Sequence, residues 1–265
     1  KVAISDLAVR TLSIAPDGEA KISVDISVEN LTKKDARGYS VTYSFYPCEL
    51  YSDMTSSTPA MVQSLPSKVL DIVKSSTTEN NLSFYWNDPK KWSAEEPWRY
   101  VMVAELKNSK GKTVDIASTY MGVRTVEILD TPASQDEFGL AGRYFYVNTK
   151  PVKLKGVNRH ETNPLTGHAI TRDQMEQEVM LMKRGNINHV RNSHYSNAPY
   201  WYYVCDKYGI YLEDEANIES HEYYYGNASL SHPKEWKAAH VARNMELVRA
   251  HVNSPAIVIW SLGNE

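Results

Sequence analysis

From residue 152 onward the chain alternates short apolar runs with stretches of helical periodicity, and this alternation restricts the possible folds more than any other feature. The last run, Ile257-Val258-Ile259-Trp260, is entered through Ser254-Pro255 and is apolar throughout. A strand without polar alternation needs cover on both faces, as in a parallel sheet flanked by helices. Residues 152–157, His189-Val190-Arg191-Asn192 and Ile210-Tyr211-Leu212 read as three earlier strands. Thr171-Arg172-Asp173-Gln174 has capping-box spacing and opens a helix carrying Met175, Val179 and Met182 on one face, with Gly185 at its end. Residues 199–208 form a second helix stopped by Gly209. Pro233 lies in the first turn of a third, whose apolar face is Val241, Met245, Val248 and Val252.

Polar residues follow every strand of this βαβαβαβ pattern. They are Asn158-Arg159-His160-Glu161, Ser193-His194-Tyr195, the stretch from Glu213 to His221, and Gly263-Asn264-Glu265. Repeated βα units give a parallel sheet, and these clusters all fall on its C-terminal edge, where α/β barrels keep their chemistry. A Rossmann-type sheet competes, but no glycine-rich phosphate loop follows any strand. The expectation is the first four βα units of a (β/α)₈ TIM barrel, truncated.

Residues 1–130 read differently. Lys21-Ile22-Ser23-Val24-Asp25-Ile26-Ser27-Val28-Glu29 alternates polar and apolar, the period-2 signature of a half-buried strand. Pro16-Asp17-Gly18 before it is a turn, with residues 2–14 as partner strand. Further strands fall at 39–46, 81–86, 99–106, 114–120 and 123–128, with a hairpin loop at 108–112. About seven short strands without a helix fit an immunoglobulin-like β-sandwich that serves as a spacer. The linker from Asp130 to Gly142 marks the boundary, giving domains 1–130 and 131–265, a multidomain β then α/β chain. Asn148-Thr149-Lys150-Pro151 forms a hairpin turn, with Thr149 where Gly would turn more tightly.

Composition excludes several function classes. With 42% hydrophobic and 23% charged residues the chain is globular, and a formal charge of −3 offers nucleic acid or an anionic membrane no attraction. No apolar run is long enough to span a bilayer, and the start lacks a basic-then-apolar signal pattern. Cys48 and Cys205 make neither a disulfide framework nor a zinc site and read as buried hydrophobes. The 18 Tyr and 6 Trp suit sugar-facing clefts and protein interfaces alike.

Among residues that can carry chemistry, Glu265 leads. Glycosidic bond cleavage uses two carboxyl groups, one protonating the leaving oxygen. Glu265 fits that donor, and the adjacent Asn264 can bind a sugar hydroxyl. Glu219 and His221, two residues apart on extended chain, point to one side and can share an ion. Oxygen ligands favour Mg²⁺ or Mn²⁺, whereas His leans toward transition metals. Asp214 and Glu215 are alternative ligands or an acid pair, although Asp214 better suits an anchoring role. His160 and His194 end the first two strands, where imidazoles can meet sugar hydroxyls. Trp201, Trp236 and Tyr223–225 are candidates for stacking on sugar faces or for ordinary packing.

Four motifs resemble, in order and spacing, the glycoside hydrolase family 2 β-galactosidases. They are Lys155-Gly156-Val157-Asn158-Arg159-His160-Glu161, Arg191-Asn192-Ser193-His194-Tyr195, Asp214-Glu215-Ala216-Asn217-Ile218-Glu219-Ser220-His221 and Trp260-Ser261-Leu262-Gly263-Asn264-Glu265. Upstream, the stretch from Pro89 to Pro97 and Gly122-Val123-Arg124 look like the end of that family's immunoglobulin-like domain. The resemblance implies Glu265 as general acid/base and Mg²⁺ ligand, Glu219 and His221 as the other protein ligands, His160 and His194 as transition-state stabilisers, and Asn264 as a substrate contact. Mn²⁺ is an alternative ion, and Na⁺ is implied for the full-length enzyme. Ser196 stands where Pro is usual, and Glu222 where Gly usually follows the ligand His.

The resemblance further implies a retaining mechanism, a β-galactoside substrate and a homo-oligomeric parent. Its nucleophile glutamate lies on a later barrel strand and its sugar-binding domain precedes Lys1, so this chain alone is expected to be inactive. The alternatives are another family 2 glycosidase such as a β-glucuronidase, and a catalytically dead carbohydrate-binding module.

Overall fold

The structure is a computed structural model describing residues 1–64, 70–136, 138–221 and 229–265. It divides into two compact units, Lys1–Trp92 with Trp98–Thr125, and Ser93–Pro97 with Val126–Glu265.

The first unit is an antiparallel β-sandwich. Strands β1 (Val2–Ile14), β2 (Ala20–Asn30) and β6 (Ser76–Trp86) form one sheet in the order β1-β2-β6. The other contains β3 (Ala36–Pro47), β4 (Met61–Ser64), β7 (Tyr100–Lys107) and β8 (Thr113–Met121) in the order β4-β3-β7-β8, with β5 (Leu70–Ile72) also paired to β3. Alternation puts Ile22, Val24, Ile26 and Val28 of β2 into the space between the sheets, against Val41, Phe45, Met102 and Leu106. Phe45 meets Trp86 of the opposite sheet at a ring separation of 5.3 Å. The short strands β4 and β5 were not legible from periodicity, since three or four residues carry too little pattern.

The second unit opens with a three-stranded antiparallel sheet, β11-β10-β9, from β9 (Val126–Thr131), β10 (Gly142–Val147) and β11 (Lys150–Val152). Here the structure corrects the expected boundary. The strand expected at 123–128 runs from Val126 to Thr131 and pairs with β10, so the division falls after Thr125 rather than after 130. Val152 likewise pairs back onto Phe145, and the first parallel strand begins at Gly156 instead.

Four parallel strands follow: β12 (Gly156–Arg159), β13 (His189–Asn192), β14 (Tyr211–Glu215) and β15 (Ile257–Ser261). Helices α1 (Arg172–Arg184), α2 (Pro199–Tyr208) and α3 (Lys237–His251) connect them in turn. The sheet order β12-β13-β14-β15 is sequential, without the reversal that defines a doubly wound sheet, so the Rossmann alternative is excluded. Thr171 makes the full capping box with Gln174, and Gly209 caps α2 in the left-handed conformation. An added Cβ on Gly209 would lie 2.3 Å from the Ala94 carbonyl oxygen, a second reason for glycine there.

Two further expectations need correction. Val241 and Met245 of α3 are exposed, whereas Val248 and Val252 are half-buried, and the inward side also holds His240, Asn244, Leu247 and His251. Polar residues on that side hide it from a hydrophobicity reading: His251 turns inward, half-buried, to bond Asp214. Trp260 of β15 is 38% exposed, since β15 is hydrogen-bonded along one side only among the described residues. Finally, β14 extends through Glu213, Asp214 and Glu215, which the sequence suggested as loop.

Candidate active site

Strand periodicity sorts the polar residues at the C-terminal edge into two sets. On β13 and β14, Asn192 and Asp214 point one way, and Arg191, Glu213 and Glu215 the other. The first set is an anchor. Asp214 Oδ1 accepts from Asn192 Nδ2 at 3.0 Å and from the Tyr202 hydroxyl at 2.7 Å, while His251 Nδ1 lies 2.7 Å from Oδ2. The Tyr202 ring stacks on His251 at 3.8 Å, and Trp201 donates to Asn192. These bonds tie β13 and β14 to α2 and α3 and leave Asp214 fully buried. The anchoring role expected of Asp214 is what the structure shows.

The second set forms the site. Glu215 is buried and its two oxygens are shared out: Oε1 lies 2.6 Å from His194 Nδ1, and Oε2 accepts from Arg191 Nε at 2.7 Å and from Ser261 Oγ at 2.8 Å. Burial acts to raise this carboxyl, but the bonds from Arg191, His194 and Ser261 outweigh it and hold it below the usual glutamate range. Glu213, beside Arg191, shows the reverse balance, and burial pushes its carboxyl up.

Loops after β14 and β15 bring the remaining residues together. Asn264 N–H donates to the Ile218 carbonyl at 2.8 Å, and Ser220 N–H donates to the Glu265 carbonyl at 3.0 Å. Gly263 permits this approach. Its φ is +136°, and a Cβ there would come within 2.8 Å of Ile218 Cβ. The two loops therefore place Glu219, His221 and Glu265 side by side, and His221 Nδ1 pairs with the Glu265 carboxylate. Asn264 connects this trio to the buried set: its Oδ1 accepts from Arg191 at 2.9 Å and its Nδ2 donates to Glu219 Oε2 at 2.6 Å. That Asn264 bond is the main cause holding the Glu219 carboxyl below its ordinary value, with burial opposing and the His221 N–H assisting. His160 stands edge-on to His194 with ring centres 5.2 Å apart.

Ligand atoms of Glu219, His221 and Glu265 all lie within 4.8 Å of one another, on exposed side chains. A Mg²⁺ ion with ligands at about 2.1 Å spaces opposite donors about 4.2 Å apart and keeps several waters. Two carboxylates and an imidazole with solvent access fit that demand after small side-chain movements.

Two family models cover nearly the whole chain: "Glycosyl hydrolases family 2" matches residues 2–124, and "Glycosyl hydrolases family 2, TIM barrel domain" matches residues 138–265. The chain belongs to glycoside hydrolase family 2. A β-galactosidase of Alteromonas mediterranea is 40% identical over 178 residues, and one of Pseudoalteromonas haloplanktis is 41% identical over 177. Each match takes in 67% of this chain but only 16% of the relative's length. The crystal structure of Bacteroides uniformis β-glucuronidase covers 98% of this chain and 28% of its own at a TM-score of 0.75 and 21% identity, a likeness of fold.

All six residues singled out in this family 2 sequence, Glu265, Asn264, Glu219, His221, His160 and His194, lie on the C-terminal edge of the parallel sheet. Trp201 does not join them. It is buried beneath the Arg159 guanidinium, which lies 3.8 Å from its ring, and packs in the interior. Trp236 precedes α3 and leans toward His240. Glu222 and Tyr223–225 lie outside the described residues. Sequence reasoning missed the joint role of Arg191 and Glu215. Both stand in the quoted motifs, but only the register of β13 against β14 reveals that they meet.

Proposed function

We propose that this chain carries the acid/base half of the active site of a retaining β-galactosidase, and that β12–β15 are the first four strands of its (β/α)₈ barrel. The observation that carries the reading is the convergence of Glu265, Asn264, Glu219 and His221 through the paired loops that follow β14 and β15. The sequential parallel order and the β-galactosidase relatives support it.

In this reading Glu265 first donates its proton to the glycosidic oxygen as the bond to the anomeric carbon breaks. A second carboxylate attacks that carbon and forms the covalent glycosyl intermediate. By the resemblance, that group lies on a later barrel strand of the parent. Glu265, now ionised, then takes a proton from water, and the resulting hydroxide equivalent releases the sugar. Asn264 presents its amide to a sugar hydroxyl. His160 and His194 contact the sugar as its ring flattens. Glu219, His221 and Glu265 would hold Mg²⁺, whose charge would favour the ionised form of the acid/base carboxyl.

Hydrolysis of chromogenic β-galactoside and β-glucuronide by the full-length parent tests this reading. We expect galactoside cleavage that falls by roughly 10²–10⁴-fold in Glu265→Gln, and no turnover by the chain of residues 1–265. Cleavage of the glucuronide alone would replace the substrate and keep the mechanism. Galactoside binding without turnover in the parent, unaffected by Glu265→Gln, would make the protein a binding module.

A further inference from the structure

We propose that Glu215 is a positioning residue of the sugar site, whose carboxylate fixes His194 as the Nδ1–H tautomer and, through Arg191, fixes the Asn264 amide. The inference rests on the reading of His194 and Asn264 as sugar contacts. It adds a residue that touches no sugar.

Glu215 is the last residue of β14 and is fully buried, with all its observed partners on the active-site side. An ionised carboxylate is an acceptor only. His194 Nδ1 at 2.6 Å from Oε1 must therefore carry a proton, which in the neutral imidazole leaves Nε2 as a lone-pair acceptor. Arg191 also approaches His194 Nδ1, at 3.3 Å, but a guanidinium cannot donate to a nitrogen already protonated. The shorter contact to an anion decides the tautomer. A His194 presenting Nε2 as an acceptor suits a sugar hydroxyl that donates, and suits it only while Glu215 stays charged.

The other oxygen works at longer range. Oε2 takes Arg191 Nε, which points Arg191 Nη2 at Asn264 Oδ1. Once Oδ1 is held, the amide cannot flip, and Nδ2 is the donor left to face Glu219 or a sugar oxygen. One buried carboxylate thus sets the hydrogen-bonding polarity of two side chains from different strands. Backbone packing alone would leave both the imidazole tautomer and the amide orientation open.

The test uses Glu215→Gln, which keeps the shape and removes the charge, and Glu215→Asp, which keeps the charge and shortens the reach. Two-bond ¹H–¹⁵N correlation spectra of this chain read the His194 tautomer without any turnover. We expect Nδ1–H in the wild type and in Glu215→Asp, and a shift toward Nε2–H in Glu215→Gln. In the full-length parent, kcat should fall about 10²-fold in Glu215→Gln with KM changed much less, and Glu215→Asp should recover part of the loss. A wild-type His194 in the Nε2–H form would overturn the proposal even if Glu215→Gln failed to fold. So would equal losses of kcat in the two variants with the tautomer unmoved, since that pattern reports packing. A parent inactive on every β-glycoside would remove the proposed function, while the tautomer measurement would still decide whether Glu215 sets the state of His194.

Discussion

Between its sheets the first unit packs Ile22, Val24, Val28, Phe45, Met102 and Leu106, side chains with nothing to hydrogen-bond. Among the described residues it buries no carboxylate. Among its described residues the second unit buries four, Glu161, Asp206, Asp214 and Glu215, each holding donors from other elements. Ala198 N–H donates to Glu161, Ser254 and Ala256 donate to Asp206, and Asp214 and Glu215 hold the sets described above. An apolar core tolerates any filling of similar volume. A polar core tolerates only residues that answer each donor, because an unanswered buried group loses its hydration with no return. The first unit is thus specified by pattern and the second by particular atoms, and the second carries the candidate site.

A shape-preserving apolar swap in each unit is the strongest test of that contrast. Asp214→Leu strands Asn192, Tyr202 and His251 together, and should cost about 3–5 kcal/mol in urea unfolding. Ile22→Leu, at an equally buried sandwich position, should cost less than about 1.5 kcal/mol. Equal costs would erase the distinction between the cores.

Acid titration sharpens the contrast next. Glu215 has a folded value held below the ordinary 4.5, so its contribution to stability is fully present above that value. It is lost as pH falls through the lower folded value. The sandwich also has depressed carboxylates, Asp35 and Glu105, but both are exposed enough for solvent to screen them. Glu215→Gln should therefore flatten the acid limb of the stability curve, and Glu105→Gln should leave it nearly unchanged. Glu213 runs the opposite way. Burial raises its carboxyl, so the folded state loses stability as pH rises past 4.5 toward the higher folded value. Glu213→Gln should raise Tm at pH 7 and have no effect at pH 3.

The same contrast governs what could be read from the amino acids alone. Strands 2–14 and 21–29 and the capping box at Thr171 were legible because period and cap chemistry are local. The placement of the six candidate residues at one sheet edge was legible through motif order, since each follows one of the four parallel strands. The face of α3 was not, because His240, Asn244 and His251 are half-buried on it without an apolar signature, and His251 turns inward to bond Asp214. Nor was the position of β9, whose Val126-Glu127-Ile128 alternation serves as well in a sandwich as against β10. Glu215 is the clearest case. Its motif placed it near the site, but Arg191, His194 and Ser261 lie on separate stretches of chain, and only strand register brings them to one carboxylate.

The smallest predicted effect compares two hairpin turns. In the sandwich, the loop between β7 and β8 places Gly111 at φ +74°, with no atom within 4 Å of where a Cβ would stand. In the second unit the turn between β10 and β11 uses Asn148 and Thr149, at φ +51° and +67°. Two positive φ values match the right-handed twist of a hairpin, and Asn serves well at the first position. Thr is β-branched and strained there. Since Thr149 is exposed, no packing is at stake, and Thr149→Gly should stabilise the chain by about 1 kcal/mol once the added freedom of the unfolded glycine is offset. A calorimetric Tm rise of about 2–4 °C would report it. Gly111→Ala should lower Tm by a similar amount, because in open space its whole cost is the left-handed backbone. Were Thr149→Gly neutral, the unit that specifies its core atom by atom would also be fixing this turn by something beyond backbone preference.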